Sequence, residues 1–173
     1  LVEAGQNSQV DAGQSAQSSN DRLTAAGGQN SNDQQAVVDA INQGDRPLLE
    51  RLISQGTNLN QTVSSGQTPL TAAIAKRSPV AAKLLLDNGA QLNFPDARET
   101  PLTAAIDREQ WEIVDQLLTR GANYTQADPD GQTPLNQAIS KNNTQLVKRL
   151  LDLGADPNQP GNSDYTPLMD LAK

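Results

Sequence analysis

Four carboxylates fall within nine residues, Asp107, Glu109, Glu112 and Asp115, and a pair of such groups can share the acid and base work of glycoside hydrolysis. Nothing in the sequence supplies a pocket around them. Asp107 and Glu109 lie near a turn between two predicted helices, while Glu112 and Asp115 sit on the polar face of the second, where carboxylates are ordinarily solvated. Asp128-Pro129-Asp130-Gly131 raises calcium, but placing Gly131 at the sixth loop position puts Gln126 at the first and Gln137 at the twelfth. The bidentate Glu of such a loop is then missing, and the four residues read as a turn. The chain has no Cys and no His, which excludes the usual thiolate and imidazole zinc sites, thiol nucleophiles, disulfides and histidine acid/base pairs. Asn60, Asn123 and Asn142 open Asn-x-Ser/Thr triplets, which matter only in a glycosylating compartment; in a chain rich in Asn and Thr, chance accounts for them. No catalytic residue, cofactor or metal site is assigned, and the chain is not expected to be an enzyme.

The elements that position side chains explain why. With 20 acidic and 13 basic residues the net charge is −7, which disfavours nucleic acid and anionic membrane surfaces as main partners. No run of 18 apolar residues is present, so no membrane span and a soluble chain are expected. Cytosol and bacterial periplasm both fit. The first residue is Leu1 rather than Met, so any leader is expected to lie outside this sequence. One Phe, one Trp and two Tyr among 173 residues leave the core to Leu, Ala, Ile and Val, a palette suited to thin layers of paired helices.

Residues 1–33 form a separate region: 18 of them are Gln, Ser, Asn or Gly, and only Leu1, Val2, Val10 and Leu23 are large and apolar. Such a composition cannot bury enough surface to offset its ordering entropy, so a disordered tail or linker is expected. From Val37 the chain repeats. Thr-Pro-Leu recurs at Thr68, Thr100, Thr133 and Thr166, spaced 32, 33 and 33 residues, and Gly56, Gly89, Gly121 and Gly154 follow at 33, 32 and 33. Each of these glycines stands three residues after an apolar pair, Leu52-Ile53, Leu85-Leu86, Leu117-Leu118 and Leu150-Leu151. Two markers locked to one period indicate a repeat architecture, with units at about 34–66, 67–99, 100–132 and 133–165 and a partial unit at 166–173.

Residues 100–132 show the physics of one unit. Thr100 can cap the free N–H groups of a helix whose first position is Pro101, where a missing N–H costs nothing. Leu102, Ala105 and Ile106 give that helix one apolar face, and Ala104-Ala105 permits close approach of a second helix. The spacing predicts the second helix over Trp111–Thr119, with Ile113, Val114, Leu117 and Leu118 inward and Gly121 ending it. Trp111 is expected to pack across the second helices rather than to anchor a partner. The segment from Asn123 to Gln132 should project as a loop. No unit can bury both helices alone, so neighbours must stack into a solenoid.

These residues resemble the ankyrin repeat family, whose unit of about 33 residues carries Thr-Pro-Leu-His, a helix pair, Leu-Leu and Gly-Ala-Asp-Val-Asn. Gly89-Ala90-Gln91-Leu92-Asn93 and Gly154-Ala155-Asp156-Pro157-Asn158 are close versions of the last motif; the stretches from Gly56 and Gly121 are looser. The resemblance covers 34–173 and implies an all-α ankyrin-repeat solenoid of stacked helix-turn-helix units with projecting hairpin loops. The His of the motif is replaced by Thr71, Thr103, Asn136 and Met169, which implies a looser tie between hairpin and neighbours. The second full unit lacks one loop residue and a turn Gly, so its loop is expected to differ. Because Lys173 precedes any second helix of a fifth unit, the sequence reads as a fragment. Leu1-Val2-Glu3-Ala4-Gly5 is similar to the end of a second helix, which would make the polar segment an insertion between repeats.

The resemblance further implies a partner protein held by loop tips and first helices; the acidic balance argues against nucleic acid, and a monomer is expected. The loop positions are Ser64, Ser65, Gln67, Phe94, Ala97, Arg98, Glu99, Pro129, Asp130, Gln132, Asn162, Ser163 and Tyr165. Lys76, Asp107, Arg108 and Lys141 extend the surface along the helices. Phe94, Arg98 and Tyr165 are of the types that often dominate interface energy. Two other functions stand beside a protein-interaction module: a substrate-recruiting region of a larger enzyme or effector, which the full gene would reveal, and a passive spacer, which substitutions at these three residues would test.

Overall fold

A computed structural model describes residues 31–63, 66–94, 99–128 and 130–159. Eight helices occupy them in chain order: α1 (Ser31–Gln43), α2 (Arg46–Ser54), α3 (Pro69–Ala75), α4 (Pro79–Asp87), α5 (Pro101–Asp107), α6 (Trp111–Thr119), α7 (Pro134–Ser140) and α8 (Thr144–Asp152). No strand occurs among the described residues. Consecutive helices pair as α1·α2, α3·α4, α5·α6 and α7·α8, and the first helices stack serially, α1 on α3, α3 on α5 and α5 on α7. This is the all-α repeat solenoid that the spacing and the resemblance lead to.

Local chemistry sets each boundary. Pro69, Pro101 and Pro134 occupy the first helical position after Thr68, Thr100 and Thr133, whose hydroxyls accept from the backbone N–H three residues on. In two units the cap is reciprocal. Thr68 N–H donates to Thr71 Oγ1 at 2.9 Å and Thr100 N–H to Thr103 Oγ1 at 3.0 Å, a capping box in which Thr serves the third position. The Thr that replaces the family's His therefore ties its own helix start. Each second helix closes with one backbone bond pattern, Thr57 N to Leu52 O, Ala90 N to Leu85 O, Ala122 N to Leu117 O and Ala155 N to Leu150 O.

Between first and second helix the chain turns through a left-handed residue, Gly44, Arg77, Glu109 or Asn142. Arg77 sits at φ 52°, a conformation that costs an L-residue with a Cβ roughly 1–2 kcal/mol. Arg77→Gly is therefore expected to raise stability by about 0.5–1 kcal/mol after the added freedom of the unfolded chain is subtracted. The reverse holds at Gly121, φ 87°, where Ala should destabilise by a similar amount. Urea midpoints at unchanged slope check both.

The helices are seven to nine residues long after α1, too short to persist alone, so packing must hold them. Leu70, Leu102, Leu85, Leu117 and Leu150 are fully buried in one continuous apolar cluster running through all four pairs. Each such Leu contributes about 1.5–3 kcal/mol relative to an exposed one. Trp111 is half-buried and packs against this cluster, the framework role expected of it.

Polar bonds fix the register between units. Asn60 Oδ1 accepts from Gln91 N–H at 2.7 Å, and Asn93 Oδ1 from Asn123 N–H at 2.7 Å. The corresponding residue of the next unit is Thr125, too short for that reach; Tyr124 bridges instead, donating its hydroxyl to Leu153 O at 2.5 Å. Gln110 Nε2 donates to Ile74 O at 2.7 Å. Arg120 bonds Asp87 and donates to Leu86 O at 3.1 Å; Arg149 bonds Asp115 and Thr119.

Candidate interaction surface

Of the residues that the resemblance singles out, the described ones stand at the ends of the first helices and on the segments that lead into them. Lys76, Arg108 and Lys141 are the C-cap residues of α3, α5 and α7, one per unit, where a cation meets the negative end of the helix dipole. Lys76 is exposed and has no ion pair among the described residues. The other two are engaged within the stack. Arg108 donates to Glu99 Oε1 at 2.8 Å and to Ala104 O at 3.1 Å, so it clips the base of its own hairpin to its helix. Lys141 donates to Asp107 O at 2.8 Å and stands 3.5 Å from the Asp107 carboxylate and 3.7 Å from that of Glu109, joining units three and four. Such half-exposed pairs hold weakly and exchange partners readily.

Two of the hairpins are closed at their base by backbone bonds. Val63 N–H donates to Gln67 O at 2.9 Å, and Asp128 N–H to Gln132 O at 3.0 Å. Asp128 also accepts from Gln132 N–H at 2.8 Å and from Gln137 Nε2 at 3.1 Å, so its carboxylate orders a turn, as the sequence suggests. Gln67 and Gln132 are half-buried at the hairpin bases, and Asp130 is exposed at a tip. Phe94 is half-buried, its carbonyl accepting from Gln126 Nε2 at 3.0 Å. Ser64, Ser65, Ala97, Arg98, Pro129, Asn162, Ser163 and Tyr165 lie outside the described residues.

Five further exposed residues on the described first helices are not singled out by the sequence: Gln35, Asp39, Asn42 and Gln43 on α1 and Ser140 on α7. The repeat itself carries the signal that finds them, since Gln43 lies 33 residues before Lys76 and Ser140 lies 33 after Asp107. α1 was obscured because no Thr-Pro-Leu marks its start.

Asp107, Glu109, Glu112 and Asp115 are all exposed, without a shared cavity. Among the described residues no group of three or more metal-ligating side chains gathers, and no helix is long and apolar enough to cross a membrane. Asn60 and Asn123, two of the three Asn-x-Thr asparagines, spend their side-chain oxygens on the backbone of Gln91 and of Thr125.

A family model described as ankyrin repeats (three copies) matches residues 37–128 and 112–173. BRCA1-associated RING domain protein 1 of Caenorhabditis elegans is 35% identical over 79 residues, covering 44% of this chain and 11% of that protein. Neurogenic locus notch homolog protein 4 of Homo sapiens is 45% identical over 58 residues, 33% of this chain and 3% of the relative. A putative ankyrin repeat protein of Acanthamoeba polyphaga mimivirus is 35% identical over 82 residues, 44% of this chain and 51% of its own length. The chain thus spans about half or far less of the relatives it matches.

Proposed function

Because this chain belongs to the ankyrin repeat family, whose repeats are generally protein-interaction modules and typically non-catalytic, we propose that it binds a specific protein through the hairpin tips and the exposed ends of its first helices. One contrast carries the reading. Framework positions repeat in type, as Leu70, Leu102 and Leu135 do, whereas the row at the first-helix ends, none of it fully buried, changes from Gln43 to Lys76 to Arg108 to Lys141 and its neighbour from Asn42 to Ala75 to Asp107 to Ser140. A scaffold kept constant beneath a surface free to vary is what specific recognition requires. The binding positions comprise Lys76, Phe94, Arg98, Asp130 and Tyr165, with Glu99, Arg108 and Lys141 available by exchange of their present ion pairs.

Affinity capture from extracts of the source organism, read by mass spectrometry, should recover a partner that Phe94→Ala and Arg98→Ala each release by at least tenfold, as central aromatic and Arg anchors do when worth about 2 kcal/mol. Capture insensitive to substitutions at Lys76, Phe94, Arg98 and Tyr165 would sink the assignment. The small share of each longer relative that aligns favours a second reading, in which the repeats recruit a substrate for chemistry residing elsewhere in a larger protein.

A further inference from the structure

The three cations at the first-helix ends are not equivalent. Lys141 is held by Asp107 and Glu109, 34 and 32 residues back, and Arg108 by Glu99, nine residues back. At Lys76 the same offsets fall on Asn42, Gly44 and Gln67, so a neutral residue stands wherever a carboxylate compensates its equivalents. Lys76 and the adjacent Arg77 are both exposed and have no ion pair among the described residues. Asp45, in the α1–α2 turn, spends a carboxylate oxygen on Leu48 N–H at 3.0 Å, capping α2.

The charge pattern of the chain sharpens the contrast. Between Glu50 and Asp87 it carries Arg51, Lys76, Arg77 and Lys83 and no acidic residue, although its net charge is −7. Lys76 and Arg77 thus form a positive spot on an acidic molecule, a feature that steers and holds a group of opposite charge. The spot is narrow. Exposed carboxylates border it one unit away on either side, Asp39 on α1, and Asp107 with Glu109 where α5 ends, and packed helices lie only about 8–10 Å apart.

We infer that the partner held at the first-helix ends meets Lys76 and Arg77 with a short acidic segment, whose carboxylates complete the pairs that Arg108 and Lys141 already find within the chain. This rests on the reading of those ends as the binding face. An Arg guanidinium takes a carboxylate in a two-pronged pair, and Lys76 adds a point charge beside it. Nucleic acid is the poorer occupant. Double-stranded DNA, with one charge per roughly 1.7 Å of axis, outruns a spot this narrow and meets Asp39 on one side and Asp107 and Glu109 on the other, where like charges repel.

Titration of the isotopically labelled full chain with a short oligoglutamate peptide, followed by amide NMR, tests the spot. Saturable shifts should centre on residues 76–77 and spare the ends of α5 and α7. They should fade between roughly 0.01 and 0.15 M salt, as the screening length falls from about 30 to 8 Å. Lys76→Gln combined with Arg77→Gln should weaken the peptide about tenfold, the loss of two exposed pairs worth a few-fold each, while the rest of the spectrum keeps its folded pattern. Arg108→Gln and Lys141→Gln should change binding less than about twofold, those cations being already paired. Absence of a saturable shift, equal shifts at 76, 108 and 141, or tighter binding of a single-stranded oligonucleotide or of phosphatidylserine vesicles would overturn the inference. A protein captured from extracts by the first-helix ends alongside any of these results would leave the binding face standing and remove only its acidic ligand.

Discussion

Leu117→Ala is expected to lower the free energy of unfolding by about 2–5 kcal/mol, a large part of the roughly 5–15 kcal/mol that holds a domain together. Leu117 is fully buried at the centre of α6, in a unit flanked on both sides. Truncation removes three carbons' worth of apolar contact and leaves a cavity that the surrounding helices can close only in part. Position in the stack should modulate the loss. In a solenoid, stability is nearly a sum of unit terms and nearest-neighbour interface terms, so damage to an interior unit weakens two interfaces. The equivalent Leu52, 8% exposed in the first described unit, faces one neighbouring unit among the described residues, and Leu52→Ala should cost less. Urea unfolding of the two variants decides the point; equal losses would contradict nearest-neighbour stacking as the source of stability.

Asn136→Thr is expected to raise stability by about 1–2 kcal/mol. Units two and three close their first helix with a reciprocal pair, Thr68 with Thr71 and Thr100 with Thr103. Unit four has the same Thr133 cap, accepting from Asn136 N–H at 3.2 Å, but the Asn136 side chain does not return the bond, and its Oδ1 is buried without a partner. A buried polar atom left unpaired costs its desolvation in full. Thr supplies a hydroxyl at the distance that two neighbouring units already use and removes the stranded carbonyl. Asn136→Ala, which removes the carbonyl without completing the box, should gain less. If Thr stabilises no more than Ala, the reciprocal bond is not the source of the gain.

Much of this fold is legible in the sequence because its punctuation is local. Pro101 after Thr100 marks the start of α5 and Gly121 after Leu117-Leu118 the end of α6, and the helix predicted over Trp111–Thr119 is the helix observed. α1 is another matter. Starting at Ser31 without Pro and built largely of Gln, Asn and Asp beside Ala and Val, it carries no start signal, and only its 33-residue register with α3 reveals it. The left-handed turns at Arg77 and Glu109 are equally silent, since nothing in their side chains announces positive φ; Gly44 and Asn142 in the same register, residue types that tolerate the conformation, are the clue.

The proposed interaction surface is an inference from the repeat pattern as to its positions, and the pairing of its side chains is not in that pattern. Arg108 pairs with Glu99 nine residues back, and Lys141 reaches Asp107 thirty-four residues back; such pairings depend on how neighbouring units sit. Lys76 shares their register yet meets no carboxylate among the described residues, because α1 presents Gln43 and Asn42 where α5 presents Arg108 and Asp107 to α7.

Site-specific photocrosslinking in extracts of the source organism tests the binding face most directly. A crosslinker at position 76, on a first-helix end, should capture one discrete protein, and excess unlabelled chain should compete it away. The same group at position 83, exposed on the second helix α4, should capture none. Equal labelling from both positions, or capture from position 83 alone, would contradict recognition through the first helices and hairpins.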